Sequence, residues 1–313
     1  MVSPSTRAAS VAAGLLADHL IGEPPARLHP VARFGFAMDD LERRMHADRR
    51  RRGAAYAAAG VSGAAGAGAL LSTVLRKWPW QTVTVATYVT VAGRALREAA
   101  AAVAAPLDAG DLDAARAALP SLVGRDPSNL DEKGIARAVV ESLAENTVDA
   151  VVAPALWAAA GGVPAAFVYR AVNTLDAMVG HRSARHRNFG FASARLDDAA
   201  GWIPARVTAA LVAAVRPRST SAVWRAVRDQ APAHPSPNAG VAEAAFAAAL
   251  GVTLGGDNVY DGRVDARPVL GYGPPAVAGD IPRASRLARD VTAGLAATLA
   301  LPAAVQTMGG RNG

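Results

Sequence analysis

The stretch Ala54–Leu75 reads AAYAAAGVSGAAGAGALLSTVL and contains no charged residue. A helix of about 20 mostly apolar residues is long enough to cross a bilayer. The arginine block Arg49–Arg52 precedes the stretch, and Arg76 and Lys77 follow it. Because positive residues collect on the cytoplasmic side of membrane helices, the block predicts a membrane helix whose N-terminal end faces the cytoplasm. A soluble protein with buried apolar helices is the alternative, and the basic flanks argue against it.

Further apolar stretches extend this interpretation along the chain. They are Gln81–Gly93, Ala150–Tyr169, Ile203–Val215 and Val291–Val305. We therefore expect an all-α, polytopic integral membrane protein with about four or five membrane helices and helical cytoplasmic loops. The expected organisation is a single integral membrane domain over residues 1–313, with a cytoplasmic loop at about 98–147, a polar motif region at about 141–206 and a C-terminal motif region at about 232–273. Within the last region, Gly255–Gly273 is expected to be irregular.

Two backbone patterns refine the apolar stretches. In the first stretch, small residues recur at helical spacing, at Gly60, Ala64 and Gly68, which predicts close approach of another helix. In Ala150–Tyr169, Pro154 and the sequence Gly161–Pro164 interrupt a simple helix. Irregular backbone at membrane depth is tolerated where protein or water surrounds it. Our hypothesis is a broken or re-entrant pair of short helices that returns to the cytoplasmic face, and the alternative is a true crossing.

Composition and absent motifs narrow the function. The chain is 51% hydrophobic and 19% charged, whereas soluble proteins have about 25% charged residues. The absence of cysteine excludes disulfides, a thiolate nucleophile and a cysteine-ligated metal. The net charge is +7, but aromatic residues make up only 5%, so nucleic-acid binding is not expected. The sequence motifs of P-loop, Rossmann, zincin and α/β-hydrolase proteins are absent.

Three carboxylates at helical spacing, Glu141, Glu145 and Asp149, share one helix face. Like charges so close repel each other, and Mg²⁺ with substrate phosphates would compensate them. Ion pairing is the alternative: it is favoured for Glu141, which has Arg137 at i−4, and both interpretations stay open for Glu145 and Asp149.

A second polar face follows the apolar stretch, because Arg170, Asn173 and Asp176 have i, i+3, i+6 spacing. Ionisable residues at the edge of a membrane segment are costly unless they are paired or functional. The alternative role is a polar network between helices.

The segment His181–Arg195 is rich in arginine and histidine. Its candidates for anion binding are Arg182, Arg185, Arg187 and Arg195, since guanidinium groups bind phosphate and carboxylate in bidentate fashion. The alternative is a solvated, positively charged cytoplasmic loop. His181 and His186 alone are weak candidates for metal binding.

Two further polar clusters precede helices. His29 and Arg33 would share a helix face near the N-terminus, although a lone histidine is more often structural. Asn238 lies in the cluster 234–243, where Ser236-Pro237 favours a helix start, and Gly251 favours the end of that helix.

At these residues the sequence resembles the adenosylcobinamide-phosphate synthase family of cobalamin biosynthesis. The similar blocks are DHLIGEPPARLHPVARFG (residues 18–35), LVGRDPSNLDEKGIARAVVESLAENTVDAVVAPALW (122–157), YRAVNTLDAMVGHRSARHRNFGFASARLDDAAGWIPAR (169–206), and HPSPNAGVAEAAFAAALGVTLGG (234–256) with NVYDGR behind it. They span most of the chain in family order. Ala150 departs from the pattern, because we expect a glycine after the aspartate.

The resemblance implies ATP-dependent amide ligation in a multi-pass protein of the bacterial inner membrane. The acid is adenosylcobyric acid, and the amine is (R)-1-amino-2-propanol or its O-phosphate. ATP with Mg²⁺ would activate the carboxylate, for example as an acyl phosphate. Other corrinoid-assembly enzymes are further expected partners. A transporter of an anionic solute or a non-catalytic scaffold for corrinoid enzymes are the alternatives, and the related halves that a transporter predicts are not seen.

The expected site combines these residues by role. The catalytic candidates are Glu145, Asp149 and Asp176. The candidates for metal binding are Glu145, Asp149 and Asp198. The candidates for binding substrate or phosphate are His29, Arg33, Arg170, Asn173, Arg182, Arg185, Arg187, Arg195 and Asn238.

Overall fold

The computed structural model of the chain describes residues 3–25, 27, 29–124, 127–181, 183–260 and 263–309. Arg182, one of the candidates for anion binding, lies outside the described residues. The helices are α1 (Pro4–Ile21), α2 (Pro30–Met45), α3 (Arg50–Val74), α4 (Pro79–Tyr88), α5 (Gly93–Asp108), α6 (Leu112–Ala118), α7 (Glu132–Thr147), α8 (Ala153–Leu175), α9 (Phe191–Val215), α10 (Thr220–Asp229), α11 (Ala239–Leu250) and α12 (Asp280–Gly309). Wider helical turns lie at Val148–Val152 and Asp176–Gly180, and two strands are β1 (Thr253–Tyr260) and β2 (Arg263–Gly271). The expected all-α class is confirmed.

The chain forms two compact units. One comprises Met1–Ala92, Asp149–Gly201 and Leu295–Gly313, and the other comprises Gly93–Val148 and Trp202–Gly294. Each unit combines distant parts of the chain. The single membrane domain expected from the sequence stays a prediction.

In the first unit, α3 packs along α8. The small-residue stripe predicted from the sequence forms this contact, because Gly60, Ala64 and Gly68 are all buried. A Cβ atom on Gly68 would lie 2.6 Å from Pro164 Cα, so only glycine permits this separation of the two helices. The neighbouring α1 packs on α4.

The predicted break in the central apolar stretch is confirmed at Gly162. This residue has φ 67° and ψ −151° inside α8, and Pro164 follows it. That backbone conformation is essentially confined to glycine. The kink divides α8 into two short helical pieces.

The second unit is built around α11, which contacts α7, α10 and both strands. α11 is apolar and almost wholly buried, and Gly251 ends it in the left-handed conformation, as predicted. α7 begins at Glu132, and the side chain that caps it is Asp131. The expectation of an irregular Gly255–Gly273 was wrong, because β1 and β2 pair as an antiparallel hairpin there. The register shifts between Leu254 and Gly256, so the glycines lie at an irregularity of the hairpin and do not interrupt its pairing.

Among the residues that the structure describes, three helical segments are long and apolar enough to cross a membrane, by length and composition. They are Arg50–Val74, Glu132–Gly180 and Phe191–Val215. The first covers the predicted span Ala54–Leu75 except for its last residue, because Leu75 is the C-cap of α3. The expected return helix over Gln81–Gly93 is α4, which has only 10 residues and is too short to cross by itself. The described part of the chain therefore has the long apolar helices of a membrane protein, together with shorter apolar ones.

Candidate functional site

The candidate site begins where two distant parts of the first unit meet. Asn173 Nδ2 donates a hydrogen bond to Asp149 Oδ2 at 3.3 Å, although 24 residues separate the two in the chain. A straight helix would hold positions 24 residues apart at a distance of about 36 Å. The chain must therefore turn back at the Gly162 break. This geometry supports the hypothesis that Ala150–Tyr169 enters and returns, because both of its polar ends lie together.

A third side chain joins this pair from α9. Asn173 Nδ2 also lies 3.3 Å from Asp197 Oδ1, so one amide group lies between two carboxylates. The sequence prediction placed Asp198 here as a metal ligand. Instead, Asp198 Oδ2 accepts a hydrogen bond from Arg195 Nη1 at 3.3 Å, in a pair whose arginine is largely exposed. Asp197 was missed, because two adjacent helical residues point about 100° apart and the sequence alone does not say which one faces inward.

Arg170 connects the carboxylate pair to a cavity. Its Nη1 donates to Asn173 Oδ1 at 3.3 Å. The same residue lines a cavity of about 180 Å³ in the first unit. The other lining residues are mostly apolar: Pro30, Val31, Phe34, Gly63, Ala64, Ala67, Val89, Thr90, Phe167, Ala171 and Thr174. A small apolar or amphiphilic group with one anionic end would match this lining.

Three buried donor groups have no hydrogen-bond partner among the described residues, and each belongs to a residue that lines the cavity or adjoins a lining residue in the chain. They are His29 Nε2, Tyr169 Oη and Arg170 Nε. A buried donor without a partner costs about 1–3 kcal/mol, so an acceptor from a ligand would stabilise each of them. His29 caps α2 through Nδ1, which accepts from Val31 N at 3.3 Å. Nε2 of the neutral ring therefore carries the proton.

The charge state of His29 follows from its position. Burial, and then the positive charge of Arg170, lower the pKa of His29 below its ordinary value. The neutral ring is thereby favoured, and it can serve as both cap acceptor and donor. His29 therefore has the structural role of a helix cap, and its part in substrate binding stays a prediction.

The other carboxylates of the prediction are placed as follows. Asp176 is half-buried at the start of the wide turn Asp176–Gly180. Glu145 is exposed on α7 and belongs to the second unit, whereas Asp149 belongs to the first. Within the described part of the chain, Glu145, Asp149 and Asp198 do not form a three-ligand metal cluster.

The ion-pair interpretation of Glu141 is confirmed within the second unit. Glu141 Oε1 accepts from Gly255 N at 2.9 Å and lies 3.9 Å from Arg137 Nε. Arg137 Nη1 also donates to Gly255 O at 2.5 Å. Glu141 and Arg137 therefore tie α7 to β1.

In the arginine-rich segment, some arginine side chains contact other residues and one has no described contact. Arg185 Nη2 donates to Glu42 Oε1 at 2.9 Å. Arg195, besides its contact with Asp198, lies 5.5 Å from the Phe191 ring centroid. Arg187 is exposed, and so is Arg33.

Glu42 is the residue that organises this segment, and the sequence analysis missed it. It is 8% exposed at the end of α2. His186 Nε2 lies 3.1 Å from its Oε1. Burial alone would raise the pKa of Glu42, but hydrogen bonds from His186 and Arg185 outweigh burial and hold that pKa below its usual value. Its signal in the sequence was Glu42 and His46 at i, i+4.

Asn238 lies in the second unit, in a separate polar cluster. Its Oδ1 accepts from Arg206 Nη1 at 3.3 Å. Close by in the chain, His234 Nε2 lies 3.7 Å from Glu243 Oε2, and both side chains are buried. Asn238 is thus part of the packing between α9 and the start of α11. It is not among the described contacts of the Asp149 cluster, which come from residues of the first unit.

Comparisons with known proteins agree on one family. Residues 11–288 match the family described as CobD/Cbib protein. A "Cobalamin biosynthesis protein CobD" of Mycobacterium tuberculosis (strain ATCC 25618 / H37Rv) is 46% identical over 295 residues, covering 93% of this chain and 94% of that protein. The protein of the same name from Stutzerimonas stutzeri (strain A1501) is 42% identical over 273 residues, covering 84% and 87%. No solved structure matches the chain.

Proposed function

The chain belongs to the CobD/Cbib family of cobalamin biosynthesis proteins, and on that premise we propose that it is an adenosylcobinamide-phosphate synthase of the bacterial inner membrane. The reaction joins the carboxylate of adenosylcobyric acid to the amine of (R)-1-amino-2-propanol or its O-phosphate. ATP transfers its terminal phosphoryl group to the carboxylate oxygen and leaves as ADP. The amine nitrogen then attacks the carbonyl carbon, phosphate leaves, and a base takes the amine proton.

The observation that supports this chemistry best is the cluster Asp149, Asn173 and Asp197 beside the Arg170 cavity. Two carboxylates lie on one amide nitrogen at 3.3 Å each. Arg170 and His29 bring donors that lack partners among the described residues. Carboxylates that take protons or hold a cation, next to cationic and neutral donors that hold anions, are the groups that phosphoryl and acyl transfer require.

The donor set fits Mg²⁺. Asp149 and Asp197 offer only oxygen atoms, and Mg²⁺ is usually bound by one or two carboxylates together with substrate phosphates. A full protein cage of three ligands is therefore not needed. Bound there, the ion would neutralise phosphate charge. Asp198 pairs with Arg195 and is not among the ligands that we propose, and a ligand role for Glu145 stays a prediction.

The remaining roles follow from exposure and charge. The chain's own carboxylates, Asp149 and Asp176 with Glu145, are the proposed proton acceptors. We propose that Arg187, which is exposed and has no described partner, binds a substrate phosphate. Losing one charge-assisted contact should cost about 1.5–3 kcal/mol. Arg187→Ala should therefore raise KM for the phosphorylated substrates more than KM for the corrinoid.

Turnover by the purified protein in detergent tests the proposal. The assay supplies adenosylcobyric acid, the amine, ATP and Mg²⁺, and mass spectrometry follows the amide product and ADP. We expect product only when ATP and Mg²⁺ are both present, and loss of turnover in Asp149→Asn. Asp108→Asn, at an exposed residue at the end of α5, is the control that should keep full turnover. If the protein is well folded but shows no turnover under any of these conditions, the result would favour a transporter or a scaffold.

A further inference from the structure

A second cluster of potential ligands lies in the first unit, outside the proposed reaction centre. Glu42, His46 and His186 each offer one ligand atom, and these atoms all lie within 4.8 Å of one another. Among the described residues no other group of three such side chains converges in this way. Glu42 and His46 are four residues apart on α2 and its C-cap, so both side chains face the same way. His186 comes from the segment that follows α8.

Two of the three side chains are buried, His46 is half-buried, and the cluster has an apolar backing. Glu42 and His186 are each only 8% exposed. The Phe189 ring lies 5.1 Å from the ring of His46 and 5.1 Å from the ring of Tyr56. Tyr56 and Phe189 are fully buried. Side chains locked in this way hold their donor atoms in place before any ion binds.

Each histidine also has a hydrogen-bond partner for one ring nitrogen, which leaves its other nitrogen able to bind a metal. His46 Nε2 lies 3.1 Å from the carbonyl oxygen of Arg185, so this nitrogen is the donor and Nδ1 keeps the lone pair. His186 Nδ1 lies 3.0 Å from His181 Nε2. When His186 Nδ1 donates in that contact, its Nε2 lone pair faces Glu42 Oε1 at 3.1 Å. Metal-binding histidines almost always donate their other N–H in this manner.

The competing explanation is an ion pair without a metal. Arg185 donates to Glu42 Oε1, and a shared proton between Glu42 and His186 would complete the pairing. A shared proton would explain only the contact between Glu42 and His186, however. The ligand atom of His46 also lies within 4.8 Å of both, and a proton does not account for this third atom. Arg185 also leaves more than half of its side chain exposed, so it covers the cluster from outside.

We propose that Glu42, His46 and His186 bind a divalent transition-metal ion, with Zn²⁺ as the best match. Two imidazoles and one carboxylate are a typical Zn²⁺ ligand set, which leaves the fourth position to water. His181 orients His186 as a positioning residue. Because the ligands come from α2 and from the segment that carries Arg185 and Arg187, the ion would fasten this arginine segment to α2. The site is independent of the proposed Mg²⁺ at Asp149 and Asp197, which offers only oxygen.

Co²⁺ is the probe, because four-coordinate Co²⁺ absorbs visible light when it replaces Zn²⁺. The full chain, purified in detergent without a histidine tag and stripped with a chelator, is titrated with Co²⁺ and then with Zn²⁺. We expect one equivalent of Co²⁺ per chain with four-coordinate absorption, and displacement by Zn²⁺. His46→Ala and Glu42→Gln should abolish this absorption, and His181→Ala should weaken binding by roughly 10- to 100-fold.

Two control variants separate the metal site from the ion pair. Arg185→Ala removes the ion pair but no ligand, so it should keep the Co²⁺ signal. His19→Ala alters an exposed histidine of α1 and should also keep it. Size-exclusion chromatography checks that each variant remains monodisperse. The proposal would be overturned if the monodisperse wild-type chain bound no Co²⁺. It would also be overturned if the His46→Ala variant bound Co²⁺ as well as the wild type does. The readout involves no turnover, so it stands or fails separately from the proposed ligase activity.

Discussion

Asp197 and Asp198 are adjacent in the chain but have different surroundings. Asp197 is half-buried and accepts from Asn173 in the first unit. Asp198 pairs with Arg195, whose side chain is 67% exposed. Exposed ion pairs contribute little, because solvent and salt screen them. The two residues therefore form a matched pair for testing the candidate site.

We predict that Asp197→Asn weakens the apparent Mg²⁺ affinity of turnover by roughly 10- to 100-fold, because one of the two carboxylates on Asn173 loses its charge. Asp198→Asn should change it much less. A Mg²⁺ titration of the initial rate measures both. Equal effects of the two substitutions on the apparent Mg²⁺ affinity would contradict the proposal that Asp197 binds the ion.

His29 gives a prediction about pH. Its pKa is lowered in the folded protein by burial and then by Arg170, whereas the unfolded chain has the ordinary value of about 6.5. The unfolded state therefore binds the proton more readily. Stability from the neutral ring is fully present above about pH 6.5 and is lost as the pH falls through the folded pKa.

His29→Asn should remove this dependence and keep the helix cap, since asparagine is a strong N-cap residue. We expect the apparent unfolding temperature in detergent to fall between about pH 7 and about pH 5 more steeply in the wild type than in the variant. Parallel curves for the two proteins would show that His29 protonation does not oppose folding.

At the scale of elements, the kink of α8 decides the candidate site. Gly162 turns the chain back, and Asn173 thereby reaches Asp149. Without the kink, the two polar ends would lie far apart along one axis. The backbone conformation of a single glycine thus supports the arrangement of several catalytic candidates.

Gly162→Ala should destabilise the protein by about 1–3 kcal/mol, because alanine rarely adopts this positive φ. Thermal unfolding in detergent should show a midpoint lower by several degrees. Gly63→Ala is the control: a Cβ there meets nothing within 4 Å in α3, so stability should hold or rise slightly. If both variants unfold at the wild-type temperature, the kink does not require glycine.

At the scale of the whole molecule, the orientation in the membrane follows from α3. The N-terminal end of α3 contacts the segment that follows α8, since a Cβ on Gly53 would lie 1.7 Å from Phe189 O. The arginine block and the arginine segment therefore lie on the same side of the first unit. The positive-inside rule predicts that this side is cytoplasmic.

Single cysteines test this orientation, because the chain has no native cysteine. A membrane-impermeant thiol reagent on intact cells should label Lys77→Cys, at the far end of α3. It should label Arg51→Cys and Ala184→Cys only after lysis; all three positions are exposed. Labelling of Ala184→Cys in intact cells would show that the arginine segment is not cytoplasmic.

The sequence by itself determined what short-range physics controls. A charge-free stretch with basic flanks indicated the membrane class, and small residues at helical spacing predicted that another helix packs closely on α3. Glycine and proline marked the break at Gly162 and the end of α11 at Gly251. Each of these features depends on residues within one or two helical turns, so the pattern carries enough information.

Only the tertiary structure decided which side chains meet. It selected Asp197 over Asp198, brought Glu42 to His186 and engaged Arg185 with Glu42. It also paired β1 with β2 where the glycines suggested irregular backbone. These contacts join residues that are far apart in the chain or differ only in helical phase. They are set by how whole helices pack, and a local sequence pattern does not encode the phase and depth at which two helices meet.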